Sequence, residues 1–328
     1  MTKKRSLTGI KPTGLPHIGN YLGAIKPALN YTNNYDCYYF IADYHALTTN
    51  KGDIASLSLE VAATWLALGL DTTKSIFYKQ SDVPEIFECH WILSCFAQKG
   101  LLNRAHAYKA CVDDNIAKQK DPDDNINHGL YSYPVLMAAD ILLFDTDIVP
   151  VGADQKQHVE IARDIAQNVN KVHKDLFTLP EPFIEKETPV IVGTDGQKMS
   201  KNYTNTLPLF LPEKALRKQV MKIVTDSTPV EEPKDTESCT VFKLYSYFAT
   251  DGQLASLKAN YEKGGYGYGH AKQALFELLL DYFGPARKRY ADIMADPSYI
   301  QKELKLGAEK ARNIAAKKLA LIKRKLGT

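Results

Sequence analysis

Two rhythms of apolar and polar positions alternate along this chain. Short, near-continuous apolar runs over 6–10, 37–43 and 74–79 have the length and composition of buried parallel strands. Between them, 53–70 and 83–98 carry the helical period, and Pro84 suits a helix start. Strands that alternate with helices predict an α/β fold with a doubly wound parallel sheet. A further strand is expected over 146–152, where Pro150 implies an edge or an irregularity. An amphipathic helix over 155–172 follows, then a short strand over 189–193. From Leu209 onward the pattern turns helical, over 213–224, 239–249, 253–261, 270–294 and 298 to near the end. These patterns divide the chain into a sheet-bearing part, 1–207, and a helical part, 208–328.

One helix breaks its own pattern. The stretch 133–144 is almost wholly apolar, with Pro134 placed for the first helical turn, yet Asp140 lies in its middle. Tyr133, Met137 and Asp140 stand at i, i+4 and i+7 and share one face. A carboxylate in such a helix is costly unless something donates to it. One reading is a buried aspartate satisfied by a backbone N–H or an arginine. The other is a pocket for a ligand with an apolar ring and a single donor, such as an indole, with the polarisable Met137 against the ring.

Composition narrows the class. The balance of 45% hydrophobic and 24% charged residues is that of an ordinary globular protein. A net charge of +3 identifies no nucleic-acid partner by itself. No apolar run reaches membrane-spanning length, and the basic N-terminus is followed by no apolar signal core. The five cysteines form no C-x-x-C pair, which points to neither a zinc site nor a disulfide framework and fits a reducing cytoplasm. The segment 100–127 is polar, an exposed helix and a mobile loop.

The first strand runs into Gly9-Ile-Lys-Pro-Thr-Gly14-Leu-Pro-His17-Ile-Gly19-Asn20, with a helix starting near Asn20. A strand, a glycine-bearing loop and a helix N-terminus can cradle phosphate, although such turns are often only structural. His45 follows the second strand, either as a ligand contact at the sheet's carboxyl edge or as a surface histidine. Asp154 can cap the next helix, meet a ribose hydroxyl, or do both. A lysine loop such as Lys198-Met-Ser-Lys201-Asn202 is, taken alone, usually solvated surface. The glycine-rich 264–269 turn is a connector or an RNA contact, and the tail 302–325 is basic and amphipathic.

Taken together, two of these stretches are specific. His17-Ile-Gly-Asn20 resembles the HIGH motif of class I aminoacyl-tRNA synthetases, and 198–202 resembles their KMSKS loop. With 9–14, Asp43-Tyr-His45, the Tyr133/Met137/Asp140 face and Gly152-x-Asp154-Gln155-Lys-Gln-His158, the chain resembles the bacterial-type tryptophanyl-tRNA synthetase family nearly end to end. The resemblance implies a Rossmann catalytic domain, a C-terminal helical domain that reads the anticodon, a homodimer, ATP with Mg²⁺ as co-substrate and tRNA(Trp) as acceptor. It implies that His17, Asn20, Lys198 and Lys201 act on the phosphates. Lys11, Pro12, Thr13, Gly19, Gly152, Ala153, Asp154, Val190, Met199, Ser200 and Asn202 would complete the ATP site. Asp140 would accept the indole N–H, and Met137, Tyr133, Gln155, His45, Gly9, Val149 and Val151 would form the rest of the tryptophan pocket. No protein-bound metal is implied.

The chain departs from the family at Asn202, usually Ser, at Leu7, often aromatic, and at Ala153, often acidic. A tyrosine-specific relative is the nearest rival, but it must satisfy a phenolic O–H and typically has Gln where Met137 stands. A nucleotidyltransferase with a HIGH-like loop would need no helical domain of this size. A non-catalytic paralogue would tolerate loss of the two motifs, which both stand here.

Overall fold

The computed structural model describes residues 3–49, 52–184 and 190–328. Five parallel strands, β1 (Arg5–Ile10), β2 (Asp36–Ile41), β3 (Ser75–Lys79), β4 (Ile148–Pro150) and β5 (Glu181–Phe183), form one sheet in the order β3-β2-β1-β4-β5. β2 shows why its sequence is apolar throughout. Tyr38 and Phe40 face one core, and Cys37, Tyr39 and Ile41 face the other. The order reverses between β1 and β4, and in open α/β sheets ligands bind outside the carboxyl ends of the strands at such a point.

Helices Glu85–Ser94, His128–Leu142 and Lys156–His173 cover one face together with the C-terminal half of the Pro297–Leu326 helix. Ile54–Ala67, Lys26–Tyr31 and the start of that last helix cover the other. A third core joins the helices Glu213–Met221, Thr240–Ser246, Asp251–Lys263 and Tyr268–Ala295 to Ile18, Ile191 and Met199. The last helix returns to the sheet and lies on β3, with Gly307 against the Phe77 backbone.

Several expectations change. The helix carrying Asp140 starts earlier, because Asn127 caps it by accepting the Leu130 N–H at 2.9 Å, so Pro134 lies inside the helix and not at its first turn. β4 is an interior strand that pairs with β1 only at Ser6–Ile148 and ends at Pro150, where the missing N–H costs no ladder bond. The edge on that side is β5, a three-residue strand with no sequence signal. The strand expected over 189–193 does not form among its described residues. Instead Val192 and Lys198 make an isolated antiparallel bridge, and Pro189 lies outside the described residues. The expected cap at Asp154 rests on a side chain outside the described residues. A 3₁₀ turn, Ala153–Gln155, precedes the following helix, and Gln155 is the N-cap of that helix. The 264–269 turn is more than a connector, for Gly264 packs against the Glu231 carbonyl and the Gly265 N–H donates to Val230 at 2.8 Å.

A Cβ on Gly307 would stand 1.7 Å from the Phe77 carbonyl oxygen, which cannot move without tearing β3. Gly307→Ala should therefore cost about 3 kcal/mol in urea denaturation. Gly284→Ala, where nothing lies within 4 Å, should be neutral or stabilising by about 0.5 kcal/mol.

Candidate active site

The carboxyl edge of the sheet gathers two clusters, one around a buried carboxylate and one around the glycine-bearing loop. In the first, Asp140 is 0% exposed. The Gln80 side-chain amide, at the end of β3, donates to both its oxygens at 3.0 and 2.9 Å, and His45 Nε2–H donates to Oδ2 at 3.0 Å. The aspartate is thus satisfied by a glutamine and a histidine, neither of them the backbone N–H or arginine of the first reading. Burial pushes its carboxyl above the usual range, and the bonds from His45 and Gln80 pull against that. A carboxylate offers about four acceptor positions, so a further donor can still be received. The His45 side chain, only 12% exposed, belongs to this cluster and is not a surface histidine.

The His45 ring meets Tyr133 edge-on at 6.3 Å. The Tyr133 hydroxyl pairs with His158 Nε2 at 2.5 Å, and His158 Nδ1 with Gln155 Oε1 at 2.9 Å. The glutamine oxygen can only accept, so Nδ1–H donates to it and Nε2 accepts from the tyrosine. Met137 and Val151, half-buried, and the buried Val149 belong to the same core, with Leu7 beside them. Gly9 lies on the Leu7 face of β1, and a Cβ there would meet the Phe40 ring at 2.5 Å.

The second cluster starts with a capping box. His17 Nδ1 accepts the Asn20 N–H at 3.3 Å, and Asn20 Oδ1 accepts the His17 N–H at 3.1 Å. A π turn, Tyr21–Ile25, follows. His17 is 5% exposed, and burial together with the Lys201 charge lowers its pKa to about 4. It is therefore neutral at pH 7, and with Nδ1 accepting, Nε2–H is its donor. Lys201 Nζ donates to the Gly14 carbonyl at 2.8 Å, and the Gly19 N–H points at Met199 Sδ at 3.3 Å. Lys11 Nζ donates to Thr48 Oγ1 at 3.1 Å. Burial lowers the pKa of both lysines, and neither has a carboxylate partner among the described residues.

The lysine loop is a tight hairpin built on Asn205. This buried side chain donates to Asp195 Oδ1 at 2.8 Å and to the Lys198 carbonyl at 3.1 Å, and accepts the Ser200 N–H at 2.8 Å. Pro12 is buried, whereas Thr13, Gly152, Ala153, Val190 and Lys198 are exposed. The side chains of Asp154 and Asn202 lie outside the described residues. Sequence reasoning missed Gln80 and Asn205. A polar residue directly after the apolar strand 74–79 was a usable signal for Gln80, and nothing in the sequence marks Asn205.

The family pattern of tRNA synthetases class I (W and Y) matches residues 2–284. The tryptophan–tRNA ligase of Campylobacter jejuni strain RM1221 is 51% identical over 325 residues, covering 98% of this chain and 99% of that protein. The counterpart in Pseudomonas aeruginosa is 50% identical over 330 residues, covering 98% and 73%. The crystal structure of the Campylobacter jejuni tryptophanyl-tRNA synthetase with ADP and tryptophan matches with a TM-score of 0.92 over 99% of this chain and 100% of that one, at 51% identity.

The lowered pKa of His17 sets a pH dependence. Below the ordinary histidine range the unfolded chain takes up a proton that the folded chain refuses until about pH 4. Stability should fall as pH drops through that window. Nuclear magnetic resonance of labelled histidines should show His17 untitrated between pH 8 and pH 5, limits set between its folded and ordinary pKa values (about 4 and 6.5).

Proposed function

This chain belongs to the class I tRNA synthetases of the W and Y type, and from that premise we propose how its two clusters divide the work. The reaction is the ATP-dependent activation of L-tryptophan to tryptophanyl-adenylate and its transfer to tRNA(Trp), with release of AMP and pyrophosphate. The tryptophan carboxylate is already ionised at neutral pH, so its attack on the α-phosphate needs no general base. What remains is positioning and the stabilisation of charge on the phosphates.

The observation that carries this assignment is the pair of partly buried lysines, Lys11 and Lys201, whose described hydrogen bonds go only to neutral oxygens. A triphosphate supplies the countercharge that their burial leaves wanting. His17 Nε2–H and the Asn20 side-chain amide add neutral donors at the same loop, where Gly19 contacts ATP. Lys198, with Met199, Ser200 and Asn202, closes over the leaving pyrophosphate, and Gly152, Ala153 and Asp154 take the ribose, with Val190 by the adenine. ATP enters as its Mg²⁺ complex, the phosphates supplying ligands to the ion. The indole N–H donates to Asp140 between Met137, Gly9, Val149 and Val151, and Tyr133 and Gln155 hold the amino acid's backbone groups.

The part from 208 on reads the anticodon, and 1–207 carries the chemistry. The enzyme works in the cytoplasm, where its five free cysteines stay reduced. It works as a homodimer, supported by an apolar surface around Trp91, 71% exposed, with Leu47 at 61% and the Tyr44–Phe87 ring pair at 4.6 Å.

ATP–pyrophosphate exchange with each of the twenty amino acids tests the substrate. Tryptophan alone should support it, and exchange with no amino acid would refute the assignment. Lys201→Ala should lower kcat roughly a hundredfold with little change in tryptophan KM; a pure KM effect would count against a transition-state role. Trp91→Glu should sediment as a monomer where the native chain sediments as a dimer.

A further inference from the structure

The Gln80 side chain has no exposed surface, and each of its polar atoms has one assigned task. Its Oε1 accepts the backbone N–H of His45 at 3.3 Å, and its Nε2 donates to Asp140 Oδ1 and Oδ2 at 3.0 and 2.9 Å. The two ends of a glutamine amide differ in kind, one accepting and the other donating. The His45 N–H can only donate and an ionised carboxylate can only accept, so this amide cannot be flipped. It is a fixed donor, shared between both oxygens of the one carboxylate in an apolar helix.

We infer that Gln80 is a specificity-determining positioning residue, which keeps Asp140 ionised and oriented as an acceptor for the indole N–H. The inference rests on the reading of this pocket as a tryptophan site and deepens it. Asp140 has no exposed surface and lies among groups that do not help it ionise: Asp43, the fully buried Tyr78, whose hydroxyl has no hydrogen-bond partner among the described residues, and Cys89. Among the described residues, only His45 and Gln80 donate to it. His45 is one bond from one oxygen, whereas Gln80 spans both and so fixes the plane of the carboxylate. Without that amide, the cheapest state of a buried carboxyl is the protonated one. A protonated Asp140 offers its own O–H and is a poorer acceptor for a ligand that can only donate.

The effect is therefore selective for substrates with a ring N–H. The probe is the pair L-tryptophan and β-(3-benzothienyl)-L-alanine, in which sulfur replaces the indole N–H while ring size is kept. Exchange kinetics are compared for the native chain, Gln80→Met, which keeps the volume and removes the amide, and Gln80→Glu, which sets a second carboxyl group against Asp140. Hydrogen bonds to charged groups contribute enough that both variants should raise tryptophan KM roughly ten- to hundredfold. KM for the sulfur analogue, kcat and KM for ATP should change by less than about threefold on the same scale. The native preference for tryptophan over the analogue should collapse accordingly. If the variants weaken both amino acids equally, or leave the preference intact, Gln80 is only packing and the inference is overturned. Should Gln80→Met not fold, Gln80→Asn keeps an amide and withdraws it from Asp140, and the same ratio decides. A native chain that shows no exchange with tryptophan would instead overturn the functional reading beneath it, so the two failures are distinguishable.

Discussion

A carboxylate with no exposed surface must be met by donors, and the arrangement around Asp140 answers that demand. From Pro134 on, its helix is apolar enough to be pulled into the core, and Asp140 goes with it. The donors come from elsewhere in the sheet: Gln80 at the end of β3 and His45 after β2. Parallel pairing of β2 with β3 sets both at one edge, so the sheet register is what brings a glutamine and a histidine, 35 residues apart, to the same carboxylate. The carboxylate in turn fixes where a ring with one N–H can lie. Recognition in this pocket follows from how a buried charge is kept charged.

The opposite problem governs the other cluster. Lys11 and Lys201 are partly removed from water while the described hydrogen bonds of each reach a neutral oxygen. Uncompensated burial of cations is unfavourable until an anion arrives. His17 sits between these demands. Burial and the neighbouring Lys201 keep it neutral, which spares the site a third positive charge and leaves a donor that carries none. Its other nitrogen is spent in the capping box, so the helix start and the orientation of the His17 imidazole are one structure.

The clusters are tied together by the chain's return paths. Ile18 N–H donates to Leu207, and Leu209 N–H to Pro16, which stitches the glycine-bearing loop to the segment that leaves the lysine hairpin. Met199 lies beneath Gly19, and both Ile18 and Met199 belong to the helical core. Tyr21, in the π turn, reaches Tyr282 and Phe283 on the long helix. Contacts of this kind give the helical part a direct hold on the glycine-bearing loop. The last helix closes the other side by seating Gly307 on β3.

Much of this was legible in the chain itself. Uniform apolarity betrayed β2 because both its faces are buried, and the period of the 155–172 stretch betrayed a helix because it has one wet face. Asp140 announced itself by breaking an apolar helix, and the motifs around His17 and Lys198 carried the family and its chemistry. What the sequence could not determine depends on contacts distant along the chain. Asn127 started a helix that Pro134 was expected to start, since a cap outcompetes a proline when the core can absorb the missing bond. The three-residue β5 exists only because β4 offers it an edge, and the lysine loop became a hairpin because Asn205 ties three of its groups together. Gln80 is the clearest case. One local residue type is compatible with many roles, and only the fold, by burying it between His45 and Asp140, leaves its amide a single orientation.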